Sequence, residues 1–407
     1  MEQTYFRRGF GLKGNIEGAL AADYHSRVVD RIRAQDYALA IGDLTFKLAR
    51  EFGFCYGVDR AVEYAYETRT KFPDRRVLLV GEIIHNPHVN TKLRAMGVEF
   101  LYRPDEGEFD FSKITPADVV LLPAFGVTVR DFERLRAIGC VLVDTTCGSV
   151  LNVWKRVDSY ASAGYTAIIH GKHYHEETKA TSSQVTKYPA GRYLVVRDMA
   201  EAREVCRYID GGGTRDEFLA RFAGKMSPNF DPDADLVHIG VANQTTMLSG
   251  ESLAIAAELR TSVARRYGEA AAAEHFRTFD TICSATQDRQ DAVLKLIADH
   301  LDLMVVIGGY NSSNTTHLAA ICQEQVPTYH IEDAAGIELD GEGEGMGGAI
   351  RFRPVGAVDE RRLEGWLPPG PVTVGVTAGA STPNNKIGET IERIAALRGA
   401  TLEALAL

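Results

Sequence analysis

The sequence predicts an α/β protein: three similar α/β domains with small, mostly parallel sheets, which could pack around a pseudo-threefold axis. Three observations predict it. Strand-like apolar runs alternate with helical patterns, as parallel sheets with crossover helices require. The same order of elements recurs three times, as a repeat of architecture more than of identity. A cysteine opens each copy. Loops at the C-terminal ends of parallel strands gather functional groups. Three copies about one axis would therefore bring three cysteines and six polar loops to one centre.

Residues 1–48 precede the first copy and read as an N-terminal extension. They carry a helical pattern (DYHSRVVDRIRAQDYALAIGDLTFKLAR) and little catalytic chemistry. The first domain, 49–146, has Cys55 in EFGFCYGVDRAVEYAYE, with Val58, Ala61, Val62 and Ala65 at helical spacing. The second, 147–282, has Cys147 in DTTCGSVLNVWKRVDSYA, with Val150, Val153, Val157 and Tyr160 on one stripe. The third, 283–407, has Cys283 in DTICSATQDRQDAVLKLI, with Ala292, Val293 and Leu296, and ends in a C-terminal tail. Each cysteine thus lies at a helix N-terminus, where the dipole and free N–H groups favour a thiolate.

Downstream of each cysteine a strand-like run ends in a polar turn: VLLVGEIIHNPH, TAIIHGKHYHEET and LMVVIGGYNSSNTTH. The spacing is 30 residues from Cys55 to His85, 28 from Cys147 to His175 and 28 from Cys283 to Asn311. A second strand and polar turn follow: VVLLPAFGVTV, VHIGVANQTTMLSGE and VTVGVTAGASTPNN. Insertions at about 206–235 and about 334–353 are charged or Gly-punctuated and read as surface excursions, the second (DGEGEGMGG) a mobile one.

Among 407 residues, Lys and Arg total 45 against 55 Asp and Glu, a net charge of −10. No global field attracts nucleic acid or an anionic membrane, so local donors must hold any anion. No run reaches the ~18–20 apolar residues of a membrane span. The N-terminus shows no apolar secretory segment, and six cysteines do not make a disulfide scaffold. The expectation is a cytoplasmic protein with no nucleic-acid or membrane partner.

Three cysteines in equivalent places suit either a catalytic zinc with one open position or an iron–sulfur cluster with one iron lacking a thiolate. The residues alone leave both open. No CxxC pair is present, which argues against zinc-ribbon and thioredoxin readings. Cys140, Cys206 and Cys322 lack the shared context and read as small apolar residues. Ser312, Ser313 and Asn314, then Ser381, Thr245 and Thr246, offer donors at helix starts. With His85 and His175 they make an anion cage. Glu176 and Glu177 in HYHEET are candidate proton donors if buried near a metal.

GFCYGVDRAV, GEIIHNPHV, DTTCGSV, HYHEET, NQTT, DTICSATQDRQDAV, NSSN and VTAGASTP stand in the order seen in the IspH/LytB family of 4-hydroxy-3-methylbut-2-enyl diphosphate reductases. The chain resembles that family from about residue 50 to 395. The resemblance implies three α/β domains around a [4Fe-4S] cluster held by Cys55, Cys147 and Cys283. It implies reductive loss of an allylic hydroxyl, the last step of the non-mevalonate isoprenoid pathway, giving isopentenyl and dimethylallyl diphosphates. Electrons would come from ferredoxin or flavodoxin. By the His-x-Glu pattern the proton source falls on Glu177. The threonine beside the substrate hydroxyl falls on Thr245, with Gln244 alongside. The diphosphate ligands fall on His85, His175, Ser312, Ser313, Asn314 and Ser381. One departure is AFGV, with Phe125 where many bacterial members have a histidine, which suggests the plant and cyanobacterial branch. Lys172 or His173 would be the compensating donor. Two other classes suit the same thiolates: a zinc hydrolase with Glu177 as base, and a non-redox iron–sulfur dehydratase or sensor.

Overall fold

In the computed structural model of the chain, residues 4–104, 107–339 and 348–400 are described. They fall into two compact units whose segments alternate along the sequence. One takes Met1–Gly9, Phe72–Ile83 and Met96–Cys283; the other takes Phe10–Lys71, Ile84–Ala95 and Ser284–Leu407.

The first unit holds two parallel sheets. In spatial order the first runs Tyr5–Phe6, Val141–Asp144, Val119–Leu122, Val77–Val80, Val98–Leu101. The second runs Phe276–Thr278, Ile239–Asn243, Thr166–His170, Tyr193–Val196. The central strands are apolar without alternation because both their faces are buried, as in Val77–Val80 and Val119–Leu122. The second unit holds the third sheet: Thr328–Ile331, Leu303–Ile307, Val372–Ala378, Leu44–Leu48, then Ala38–Ile41 antiparallel at the edge. It also holds a small antiparallel sheet of Ile337–Glu338, Ala349–Phe352 and Arg361–Glu364.

The three main sheets share one topology. A leading strand (Val77–Val80, Thr166–His170, Leu303–Ile307) has its successor on one side. On its other side lies an inner strand (Val119–Leu122, Ile239–Asn243, Val372–Ala378), and a fourth strand follows. In the first two sheets the fourth strand comes next in sequence. In the third sheet Leu44–Leu48 fills that place, paired parallel to Val372–Val376. Each cysteine follows a fourth strand: Cys147 after Asp144, Cys283 after Thr278, Cys55 after Leu48. A cysteine therefore closes a sheet, whereas the sequence pattern reads it as opening one.

The segment read as helical extension is helical only at Lys13–Tyr24 and Arg27–Ala34. It then turns at Gly42, whose φ of +60° suits glycine, between Ala38–Ile41 and Leu44–Leu48. Leu44, Phe46 and Leu48 alternate inward with Thr45 and Lys47 between them. Burial of each large side chain contributes roughly 1.5–3 kcal/mol, enough for packing to override local helical propensity.

The insertions differ from expectation too. Around 206–235, Phe218, Phe222 and Phe230 are buried with Ile168, Val205 and Leu259 in the second sheet's core. This excursion is therefore packed, not merely surface. In the 334–353 segment, Ile337 and Ile350 are buried partners across a strand pair. Residues 340–347, the part expected to be mobile, lie outside the described residues, as do 401–407 of the C-terminal tail.

Candidate active site

The three cysteines repeat one hydrogen bond. The inner strands end at Leu122, Asn243 and Ala378. Two residues later a carbonyl accepts from a cysteine N–H: Ala124 O from Cys147 at 2.8 Å, Thr245 O from Cys283 at 3.2 Å, Ala380 O from Cys55 at 3.2 Å. The turn after each inner strand thus seats the cysteine of its own sheet. Each cysteine then leads into a helix: Gly148–Ser162, Ser284–Ile297 and Tyr56–Lys71.

In the first unit Cys147 and Cys283 share one neighbourhood. Ser149, in the first turn of the helix that Cys147 caps, donates its Oγ–H to Cys283 Sγ at 3.1 Å. Thr245, whose carbonyl seats Cys283, is bonded twice to Glu177. Its N–H meets Glu177 Oε1 at 2.6 Å and its Oγ1–H meets Oε2 at 3.0 Å. Glu177 is only 2% exposed, whereas its neighbour Glu176 is exposed. His175 caps the helix Glu176–Ser182, its Nδ1 accepting from Glu177 N at 3.2 Å. In the neutral ring that acceptor role leaves the proton on Nε2, as a donor. Gln244 Oε1 accepts from Lys172 N at 3.0 Å and from Thr178 Oγ1 at 3.1 Å, and its Nε2 donates to Thr246 Oγ1 at 2.9 Å. Gln244 thereby joins two loops. Phe125, in the turn that seats Cys147, meets the His175 ring edge-on, centroids 6.2 Å apart. His173 is exposed with its ring against Tyr174, its pKa lowered by partial burial and by Lys225.

In the second unit Ala380 is the keystone. Its carbonyl takes the Cys55 N–H, and its own N–H donates to Asn314 Oδ1 at 2.8 Å. Ser381 Oγ donates to His85 O at 3.2 Å. Ser312 caps the helix Ser313–Gln323, its Oγ accepting from Thr315 N. Asn314 is 2% exposed, and its Nδ2 has no acceptor among the described residues. A buried amide without a partner is expensive, and an anion would satisfy it. This unit therefore gathers Cys55, His85, Ser312, Ser313, Asn314 and Ser381. The first gathers Cys147, Cys283, His175, Glu177, Gln244 and Thr245.

The structural register corrects one sequence alignment. His85, His175 and Ser312 each stand five residues past the end of a leading strand, at Val80, His170 and Ile307. Ser312, not Asn311, is thus the third counterpart of the histidines.

Cys140, Cys206 and Cys322 are buried, and burial pushes their thiols up to about 11, 11 and 12. They sit in apolar cores and offer no thiolate near neutral pH. Cys55, Cys147 and Cys283 are each half-buried at a helix start, and Cys283 accepts a hydroxyl on its sulfur, so each is a sulfur donor that suits metal ligation. Two site residues were not singled out from the sequence. Ser149 stood two positions after a candidate ligand. Arg289 stood on the apolar stripe of Ala292, Val293 and Leu296.

A family model described as LytB protein matches residues 46–395. A 4-hydroxy-3-methylbut-2-enyl diphosphate reductase of Thermosynechococcus vestitus is 49% identical over 397 residues, covering 97% of this chain and 95% of that protein. A protein of the same name from Gloeobacter violaceus is 49% identical, covering 98% of this chain and 93% of its own length. A solved structure of (E)-4-hydroxy-3-methyl-but-2-enyl diphosphate reductase, the terminal enzyme of the non-mevalonate pathway, matches with TM-score 0.51 and 27% identity. It covers 86% of this chain and 99% of that one. The Plasmodium falciparum E-1-hydroxy-2-methyl-but-2-enyl-4-diphosphate reductase shares the fold at TM-score 0.61 and 21% identity, covering 85% of this chain and 86% of its own.

Proposed function

The chain belongs to the LytB protein family, and from that membership we infer that it reduces 4-hydroxy-3-methylbut-2-enyl diphosphate, the terminal step of the non-mevalonate pathway. In balance, the allylic alcohol takes up two electrons and two protons. One C–O bond breaks, one C–H bond forms, and water leaves with isopentenyl or dimethylallyl diphosphate.

Cys55, Cys147 and Cys283 would hold a [4Fe-4S] cluster. When bound, it supplies electrons and a Lewis-acidic iron, because three thiolates leave one metal corner open. The observation that carries this reading is the buried Glu177–Thr245 pair, tied through the Thr245 carbonyl to Cys283. Once protonated, a carboxyl group so placed would donate from Oε2 to Thr245 Oγ1, 3.0 Å away, reversing the bond that the hydroxyl donates in this structure. The threonine hydroxyl is the group that meets the substrate oxygen. Gln244 ties the Lys172–Thr178 segment that carries Glu177 to the turn that carries Thr245.

The diphosphate is held without a basic cluster, consistent with the net charge of −10. His85, His175, Ser312, Ser313, Asn314 and Ser381 supply neutral donors, helped by the N–H groups of the helix that Ser312 caps. The Phe125 ring carries no polar donor; it orients the His175 ring by edge contact. Ferredoxin or flavodoxin is the proposed electron source.

Anaerobic reconstitution tests this reading. The expected product is a brown protein with four irons that consumes the alcohol diphosphate only with a reductant. A colourless zinc protein that hydrolyses the diphosphate without reductant would refute it.

A further inference from the structure

Arg289 is 3% exposed, within the helix that follows Cys283. Its Nη2 donates to Gly53 O at 2.7 Å, two residues before Cys55, and its Nη1 to Ala285 O at 2.8 Å. Its Nε has no acceptor, and no carboxylate lies within salt-bridge distance among the described residues. A buried guanidinium without an ion partner is strongly disfavoured. Asp59 acts on it electrostatically from beyond salt-bridge distance. The charge is therefore held in place by two backbone carbonyls, with no directly paired carboxylate among the described residues. Two residues of chain reach at most about 7 Å, so Gly53 puts the guanidinium close to whatever Cys55 binds.

We propose that Arg289 is a positioning and charge-compensating residue for the centre held at Cys55, making its one-electron reduction more favourable. This rests on the cluster reading above. A three-thiolate iron–sulfur centre is anionic and gains one further negative charge on reduction. That electron leaves a one-electron donor such as dithionite; no bond breaks and no proton moves. A fixed buried cation stabilises the more negative state, because net charge and burial set cluster potentials. Arg289 also fixes the Gly53 carbonyl, so it acts on the loop and on the field together.

The test is a dye-equilibrated redox titration, followed by electron paramagnetic resonance, of anaerobically reconstituted wild-type, Arg289→Gln and Arg289→Lys proteins. Arg289→Gln should hold full iron yet reduce at least tenfold less favourably, about 59 mV more negative for one electron. Arg289→Lys should stay near wild type. An unshifted potential in fully loaded Arg289→Gln overturns the proposal. If Arg289→Gln does not load, Arg289→Lys decides. Loading at the wild-type potential shows that charge is what the centre needs. Failure of both shows only a hydrogen-bonding role towards Gly53 and overturns the proposal. A wild-type protein with no reducible cluster would instead sink the parent reading.

Discussion

Glu177 and Thr245 are bonded twice, backbone N–H to one carboxyl oxygen and side-chain hydroxyl to the other. The pair is buried, and the same threonine seats Cys283 through its carbonyl. The proposed proton source and a proposed metal ligand are thus fixed by one residue. Replacing Glu177 with Gln removes the acid and keeps the shape. The expected outcome is full iron content with turnover lowered about 10²–10⁴-fold, the usual worth of a placed general acid. Steady-state rates beside iron analysis check it, and near-wild-type turnover would point to another proton source.

Thr245 divides into two functions. Thr245→Ser keeps the hydroxyl and should retain most activity. Thr245→Val keeps bulk but leaves Glu177 Oε2 without its donor, a loss of roughly 1–3 kcal/mol if unsatisfied. It should lower kcat more than it raises KM. Equal activity of the two variants would remove the hydroxyl from the relay.

Cysteine replacements should sort by position. Serine at Cys55, Cys147 or Cys283 should abolish the brown chromophore. Serine at Cys140, Cys206 or Cys322 should keep it while lowering stability by roughly 1–3 kcal/mol, because a hydroxyl replaces a buried thiol. Iron content and thermal unfolding measured together decide. Retained iron in all of the first three would refute the ligand set.

Much of this was legible in the sequence, and the part that was not has a physical cause. The cysteine-then-helix pattern and the polar turns are local, so residues within ten positions report them. Glu177 was separable from Glu176 only by its resemblance to a family pattern; burial, the physical distinction, depends on packing that no local pattern carries. Leu44–Leu48 was hidden because its partner, Val372–Val376, lies over three hundred residues away. Its inward alternation of Leu44, Phe46 and Leu48 was present but sat beside a convincing helical stretch. The 206–235 insertion looked charged, yet three of its phenylalanines are core. Composition averages over a segment, whereas burial is decided side chain by side chain.

His330 supplies a pH-dependent term. Burial, with a smaller contribution from Arg353, depresses its pKa to about 4, despite the bond between Nε2 and Gly308 O at 2.9 Å. The unfolded chain binds that proton below about pH 6.5, the folded chain only below about 4. Stability from this group is therefore complete above pH 6.5 and is lost as pH falls towards 4, by about 3 kcal/mol in all. Thermal midpoints should drop across that window, and His330→Gln should flatten the drop. A slope unchanged in the variant would assign it to other groups.

Gly308 begins the loop that leads to Ser312. Its φ is +142°, and an added Cβ would lie 2.4 Å from Thr382 Oγ1. Gly308→Ala should destabilise the second unit by roughly 1–3 kcal/mol and raise KM for the diphosphate, because the cap at Ser312 shifts. Thermal unfolding and KM check it; both unchanged would show that the loop tolerates a side chain.

The strand Leu44–Leu48 has one consequence for how the protein is made. During synthesis Cys55 leaves the ribosome more than three hundred residues before the neighbour that supports it, Val372–Ala378, and the carbonyl of Ala380 that seats it. Such distant pairing is slow to close. The nascent chain therefore carries an unsupported Cys55 until those residues have been made, and the proposed cluster could not be seated there before them.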